Sequence, residues 1–190
     1  MVRISKAPEV RKQEIICAAM KLFYNKGYEE TSIADIAKEM NVVPGLCYRY
    51  FKSKKELFEI AMDNYVKECS EKFLKVICDD KKSLKERMED MTKLMLTQDD
   101  KNKYHDFYHK SGNEIMHEQL SIKIAKYLMP SLIKEIEKSC EKGEIHVQNA
   151  EIITNFIMYG QIGVLSCTDV SMEEKIKQIH GFIKLLIDIK

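Results

Sequence analysis

Apolar side chains recur every three or four positions along most of the chain, and polar punctuation cuts this pattern into segments of helical length. Val10, Ile15, Ala18, Ala19, Leu22 and Phe23 define one face of a first helix, predicted over residues 9 to 26, and Asn25-Lys26-Gly27 supplies a left-handed stop. Thr31 is placed to cap a short second helix whose Ile33, Ile36, Ala37 and Met40 fall at i, i+3, i+4 and i+7. Asn41, which tolerates the αL conformation, ends it. Only Val42 and Val43 then precede Pro44, a residue preorganised for the first turn of a helix, so a third helix is predicted from Pro44 to Phe51. Ser53-Lys54-Lys55-Glu56 reads as a capping box. It opens a fourth helix that runs on Phe58, Met62, Tyr65, Cys69, Phe73 and Ile77 as far as Cys78.

A second capping box, Ser83-Leu84-Lys85-Glu86, starts a helix with Leu84, Met88, Met91 and Met95 on one stripe, ending near Gln98. The polar run Asp99-Asp100-Lys101-Asn102 breaks the chain before a short helix with Tyr104, Phe107 and Tyr108. A weak spot at Ser111-Gly112-Asn113 leads into a helical stretch from Glu114 to Lys142, which Pro130 is expected to kink or divide. From Ala150 to Cys167 the chain is apolar on nearly every face, which demands burial against a core or a partner. Ser171 and Glu174 then cap a last helix, with Met172, Ile176, Ile179, Ile183 and Leu186 on one face, widened by Phe182 and Ile187. Lys175, Lys177, Lys184 and Asp188 are expected to keep off that face.

Composition agrees with long helices, since only seven Gly and three Pro interrupt 190 residues. No stretch reaches the roughly 18 consecutive apolar residues of a membrane-spanning helix, and the N-terminus is charged where a signal peptide is apolar, so a soluble, cytoplasmic protein with no membrane partner is expected. The six cysteines (17, 47, 69, 78, 140 and 167) contain no C-x-x-C pair and read as reduced small hydrophobes. The net charge of +1 hides an asymmetry. Residues 1 to 55 hold 11 Lys or Arg against six acids, and the remaining 135 hold 20 against 24. The first part is therefore suited to a polyanion.

That charge meets a suitable shape. Two helices joined by a tight turn form a helix-turn-helix pattern, which places its second helix in the major groove. The third helix here carries Gly45, Tyr48, Arg49 and Tyr50, an odd composition for a core element. An exposed Arg can bond guanine bidentately, and small or apolar groups can meet a thymine methyl. Other chemistry finds little support. His105 and His109 stand at i, i+4, with His117 further on, but no third metal ligand falls at a recognisable spacing. There is no HExxH, P-loop, GxGxxG or nucleophile motif, so neither an enzyme nor a metal or cofactor protein is expected.

The continuous string from Thr31 to Phe58, TSIADIAKEMNVVPGLCYRYFKSKKELF, resembles the tetracycline-repressor (TetR) family of bacterial regulators, and with the first helix in register the likeness covers residues 9 to 58. The resemblance implies phosphate contacts for Thr31, Tyr48, Tyr50 and Lys54, base-edge positions for Pro44, Gly45 and Arg49, and an interior place for Ile36, Ala37 and Phe51. Val43 stands where a Ser or Thr usually caps the third helix, and Cys47 replaces a larger aliphatic residue.

The resemblance also implies an all-α chain in two parts: a three-helix DNA-binding domain over residues 1–55, and a larger helical domain over 56–190 for effector binding and dimerisation. Phe73, Met91, Met95, Tyr104, Phe107, Tyr108, Met158 and Tyr159 are candidates to line an effector cavity, against a plain reading as helical core. Phe156, Gly160, Gly163, Ile179, Ile183 and Leu186 are candidates for a two-fold interface between the last two helices of each subunit. The expected function is a homodimeric repressor released from a double-stranded DNA operator by a small molecule, through a shift of the fourth helix. Two rivals stand beside it: a DNA-binding regulator without a ligand, and an α-helical enzyme or carrier with a vestigial helix-turn-helix.

Overall fold

The computed structural model of the chain describes residues 7–97 and 114–188, and among these every regular element is an α-helix. In chain order they are α1 (Pro8–Lys26), α2 (Ile33–Glu39), α3 (Pro44–Tyr48), α4 (Lys54–Ile77), α5 (Leu84–Leu96), α6 (Glu114–Glu141), α7 (Ala150–Leu165) and α8 (Met172–Ile187). The described residues fall into two compact units divided within α4, between Tyr65 and Val66. Tyr104, Phe107, Tyr108, His105, His109 and the expected breaks around them lie outside the described residues, as does the side chain of His117.

In the first unit, α1 packs on α2 and α2 on α3. Ile15, Ile16, Ala19, Met20 and Phe23 of α1, Ile33, Ile36 and Ala37 of α2, Cys47, Phe51 and Leu57 are all buried. The cap of α2 is Ser32 and not Thr31. Ser32 Oγ accepts the Asp35 N–H at 3.1 Å, and Asp35 Oδ2 accepts the Ser32 N–H at 2.9 Å. This reciprocal box needs an acid three residues after the cap, a spacing that Ser32 has and Thr31 lacks. Thr31 is instead 2% exposed, its hydroxyl donating to the Gly27 carbonyl at 2.7 Å.

Asn41 takes φ 53°, as its tolerance of αL predicts. The Asn41 N–H reaches the Lys38 carbonyl at 3.0 Å and the Val42 N–H the Ala37 carbonyl at 2.9 Å, the paired bonds of a Schellman turn. α3 is shorter than expected. It ends at Tyr48, where the N–H groups of Arg49 and Tyr50 make tighter i→i−3 bonds to the Leu46 and Cys47 carbonyls, at 3.2 and 3.0 Å, and Phe51 is buried in the core. At the start of α4, Ser53 Oγ accepts the Glu56 N–H at 3.1 Å, and the Glu56 carboxylate accepts from Lys52 N–H.

The second unit centres on Ile77, Ala125, Leu128 and Met158, packed by Phe73, Leu74, Met91 and Ile162 among others. Ser83 and Glu86 form the expected box at the start of α5. Pro130 does not divide α6. It lies on the exposed side of the helix, as does Lys126, whose carbonyl loses its helical donor. Lys175 departs from expectation most. It is 7% exposed and its Nζ donates to the Leu165 carbonyl at 2.8 Å, closing the C-terminal end of α7, where a cation is favoured.

Candidate nucleic-acid interface

The helix-turn-helix of α2, the Asn41 turn and α3 leaves one side of the recognition segment open to solvent. Pro44, Gly45, Tyr48 and Arg49 are exposed, Leu46 and Tyr50 half-buried, and Cys47 fully buried. Val43, adjoining the open side, is 72% exposed and its side chain makes no cap bond to α3. A Cβ built on Gly45 would meet nothing within 4 Å. Among the described residues neither Arg49 nor Lys52 makes an ion pair, whereas Lys21 binds Glu39 at 2.6 Å and Lys26 binds Asp35 at 3.2 Å. Two cations without an acid partner among the described residues thus lie beside the recognition segment.

Thr31 and Lys54 have their polar groups engaged within the unit. Lys54 Nζ donates to the carbonyls of Tyr28 at 2.8 Å and Glu29 at 3.1 Å, and sits 4.4 Å from the centroid of the Tyr28 ring. That ring packs against Phe23 and Phe58, with centroids 5.3 and 4.9 Å away. Burial, then the nearby Glu29 and Glu59 carboxylates, pushes the Tyr28 phenol above its ordinary value. The first unit thus holds Lys54 by contacts with Tyr28 and Glu29, two residues separated from it by more than 20 positions, a pairing invisible to local spacing. Lys52, which no motif singled out, is an exposed cation two residues before it.

In the second unit, Phe73, Met91 and Met158 belong to the packed core, and Met95 is half-buried. Tyr159 is 41% exposed. Phe156, Gly160, Gly163 and Leu186 are exposed, and Ile183 is half-buried. Ile179, at 5% exposure, is interior to the unit. Ile152, within the stretch apolar on nearly every face, and Leu185, which no stripe marked, join the exposed apolar set.

An N-terminal three-helix unit with an exposed recognition segment, followed by a unit whose described elements are all helices, is the architecture of a helix-turn-helix protein. Residues 15–61 match the family profile of the bacterial regulatory proteins of the tetR family, a stretch of about a quarter of the chain. The stretch is 42% identical over 59 residues to the HTH-type transcriptional regulator HbdR of Aromatoleum sp. (strain CIB). That match takes in 31% of this chain and 26% of the relative, so it spans about a quarter of the curated protein's length. Over nearly the whole chain the fold is similar to two solved structures. A TetR-family transcriptional regulator from Mesorhizobium loti superposes with a TM-score of 0.66 at 15% identity, over 96% of this chain and 97% of that one. A transcriptional regulator from Saccharomonospora viridis, solved in complex with choline, gives 0.64 at 19% identity, over 97% and 100%.

Proposed function

We propose that this chain is a cytoplasmic transcriptional regulator that binds a double-stranded operator as a homodimer and is released from it by a small molecule. The observation that carries the DNA-binding part is the open side of α3, where Pro44, Gly45, Tyr48 and Arg49 stand exposed beside the unpaired cation Lys52. A major groove about 12 Å wide admits such a helix, with Arg49 able to fork onto guanine and the tyrosine hydroxyls able to reach phosphates. Dimerisation is supported by Phe156 at 65% exposure, joined by Ile152 and Tyr159 on α7 and by Phe182, Leu185 and Leu186 on α8. Two copies of this surface across a two-fold axis would give two reading heads for a palindromic site.

Release by a small molecule is supported by the choline complex of a structural neighbour and by α4, which runs unbroken through the division between the units. The packing of Phe73, Met91 and Met158 into the core favours a second reading, a DNA-binding regulator that takes no ligand. Genomic fragments retained by the protein test the first step, and release of those fragments by members of a small-molecule library tests the second. Retention without release supports the second reading. A chain that retains no fragment is not a DNA-binding regulator.

A further inference from the structure

In the second unit, α5 and α7 both pack on α8, and the contact with α5 contains a titratable group that no motif marked. Thr92 of α5 and His180 of α8 are half-buried, and Thr92 Oγ1 lies 2.7 Å from His180 Nδ1. Thr92 Oγ1 also donates to the Met88 carbonyl, one turn back, at 2.9 Å. A hydroxyl has a single hydrogen, so toward the ring it accepts, and Nδ1 carries the hydrogen of the neutral imidazole. Nε2 then holds the lone pair and is the atom that takes a second proton. Charges reach the ring from two helices. Lys184 stands one turn further along α8, and Glu89 stands one turn before Thr92 on α5, both exposed. α7 has a single charged residue, Glu151, at its second position. Burial first, then the Lys184 ammonium, lowers the ring below its ordinary 6.5, and the Glu89 carboxylate offsets only part of this.

We propose that the contact between His180 and Thr92 is an acid-sensitive latch that holds α8 on α5 while the ring is neutral. A proton arriving at Nε2 does not break the bond to Thr92, because Nδ1 still donates. It places a charge in a half-buried contact beside an ammonium of the same helix, and one exposed carboxylate does not replace the lost water. Parting α8 from α5 returns the ring to water. The parted form therefore binds the proton more tightly, so the latch has its full strength above about 6.5 and weakens as pH falls below that value. The exposed side of the same helix carries Phe182, Leu185 and Leu186, part of the surface proposed above for pairing two copies. Acid should therefore weaken the pairing, a consequence that rests on the dimer reading, whereas the latch does not.

Nitrogen NMR of the ring in the wild-type chain needs no variant and reads both the tautomer and the titration. It should show Nδ1 protonated in the neutral form and a midpoint below 6.5. Urea unfolding then measures the latch between about pH 7.5 and about pH 5.5. The wild-type folding constant should fall more than that of His180→Asn, which keeps a donor for Thr92 and cannot take a proton. The excess is capped at about tenfold, because at about pH 5.5 an unfolded histidine is protonated roughly ten to one. Glu89→Gln should enlarge the excess and Lys184→Gln should reduce it, each through its charge. A hydrogen on Nε2 in the neutral ring, a midpoint at or above 6.5, or equal acid losses in wild type and His180→Asn overturns the latch. Light scattering of the same samples reads the consequence, and acid should move wild type toward monomer more than it moves His180→Asn. A dimer of unchanged stability at both pH values overturns the consequence, and a chain that is monomeric at both overturns the dimer reading and leaves the latch standing.

Discussion

The Lys54 ammonium is held by the Tyr28 and Glu29 carbonyls and lies over the Tyr28 ring, so its charge is satisfied inside the first unit. Lys54→Met should therefore destabilise the chain by about 1 to 2 kcal/mol, the range for hydrogen bonds to a half-exposed charged group, and leave the salt dependence of DNA binding unchanged. Lys52→Ala should do the reverse, lowering the salt slope by roughly one phosphate contact with no loss of stability. Urea unfolding and salt titrations of both variants separate the roles, and a lowered slope in Lys54→Met would return that residue to the phosphate set. Asp35 gives a second test at this scale. Its bonds from the Ser32 hydroxyl and amide, then the Lys26 ammonium, hold its carboxyl down to about 2, from an ordinary 3.8. A lowered carboxyl stabilises the fold above its unfolded value, and that contribution is lost as pH falls from about 4 through about 2. Unfolding midpoints of wild type and Asp35→Asn should thus differ at neutral pH and converge toward pH 2.

Between elements, the second unit is tied by a charge taken out of water. Arg87 of α5 is buried and donates to the Ile77 carbonyl at the end of α4 at 2.7 Å, to Glu135 of α6 at 2.7 Å and to Ser139 at 3.4 Å. Burial alone would raise the Glu135 carboxyl, but hydrogen bonds from Lys138 and Arg87 outweigh it and hold the group below its ordinary value. Glu135→Ala leaves Arg87 buried without its counter-charge and should cost about 3 to 5 kcal/mol, whereas Arg87→Met with Glu135→Leu should be close to neutral. Urea unfolding of the single and double variants measures the difference, and equal losses would show that the pair itself, not its imbalance, sets the stability. None of this was legible in the sequence, where Arg87 and Glu135 are polar positions 48 residues apart. What spacing alone could show was local: the Ser83 and Glu86 box, the αL turn at Asn41, the start of α3 at Pro44 and the unbroken α4. The misreadings differ in cause. The cap passed from Thr31 to Ser32 on a local spacing, the acid at Asp35, whereas α3 ended early with Phe51 in the core and Lys175 turned inward to the Leu165 carbonyl. At the interface the exposed side of α3 was legible as composition, while the internal use of Lys54 was not.

On the scale of the whole molecule, the test is whether the apolar surface of α7 and α8 is covered by a second copy. Gly160 offers a clean probe because it is exposed, and a Cβ placed there meets nothing within 4 Å in its own protomer. Replacing a mid-helix glycine with alanine stabilises an isolated helix by about 0.5 to 1 kcal/mol, so a protomer considered alone should tolerate Gly160→Ala and gain slightly from it. Any harm must come from outside the protomer. If Gly160 faces its counterpart across a two-fold axis, Gly160→Glu sets two like charges against each other in a desolvated contact, and the dimer should dissociate while helicity and core packing persist. DNA affinity should fall with it by about 100-fold or more, because a single reading head loses the gain in effective concentration that tethering to a second head provides. Light scattering, circular dichroism and operator titration on the same samples follow the three steps. A folded Gly160→Glu chain that remains dimeric with unchanged affinity would place the interface on another surface, and an unfolded one would show that α7 is covered within its own chain.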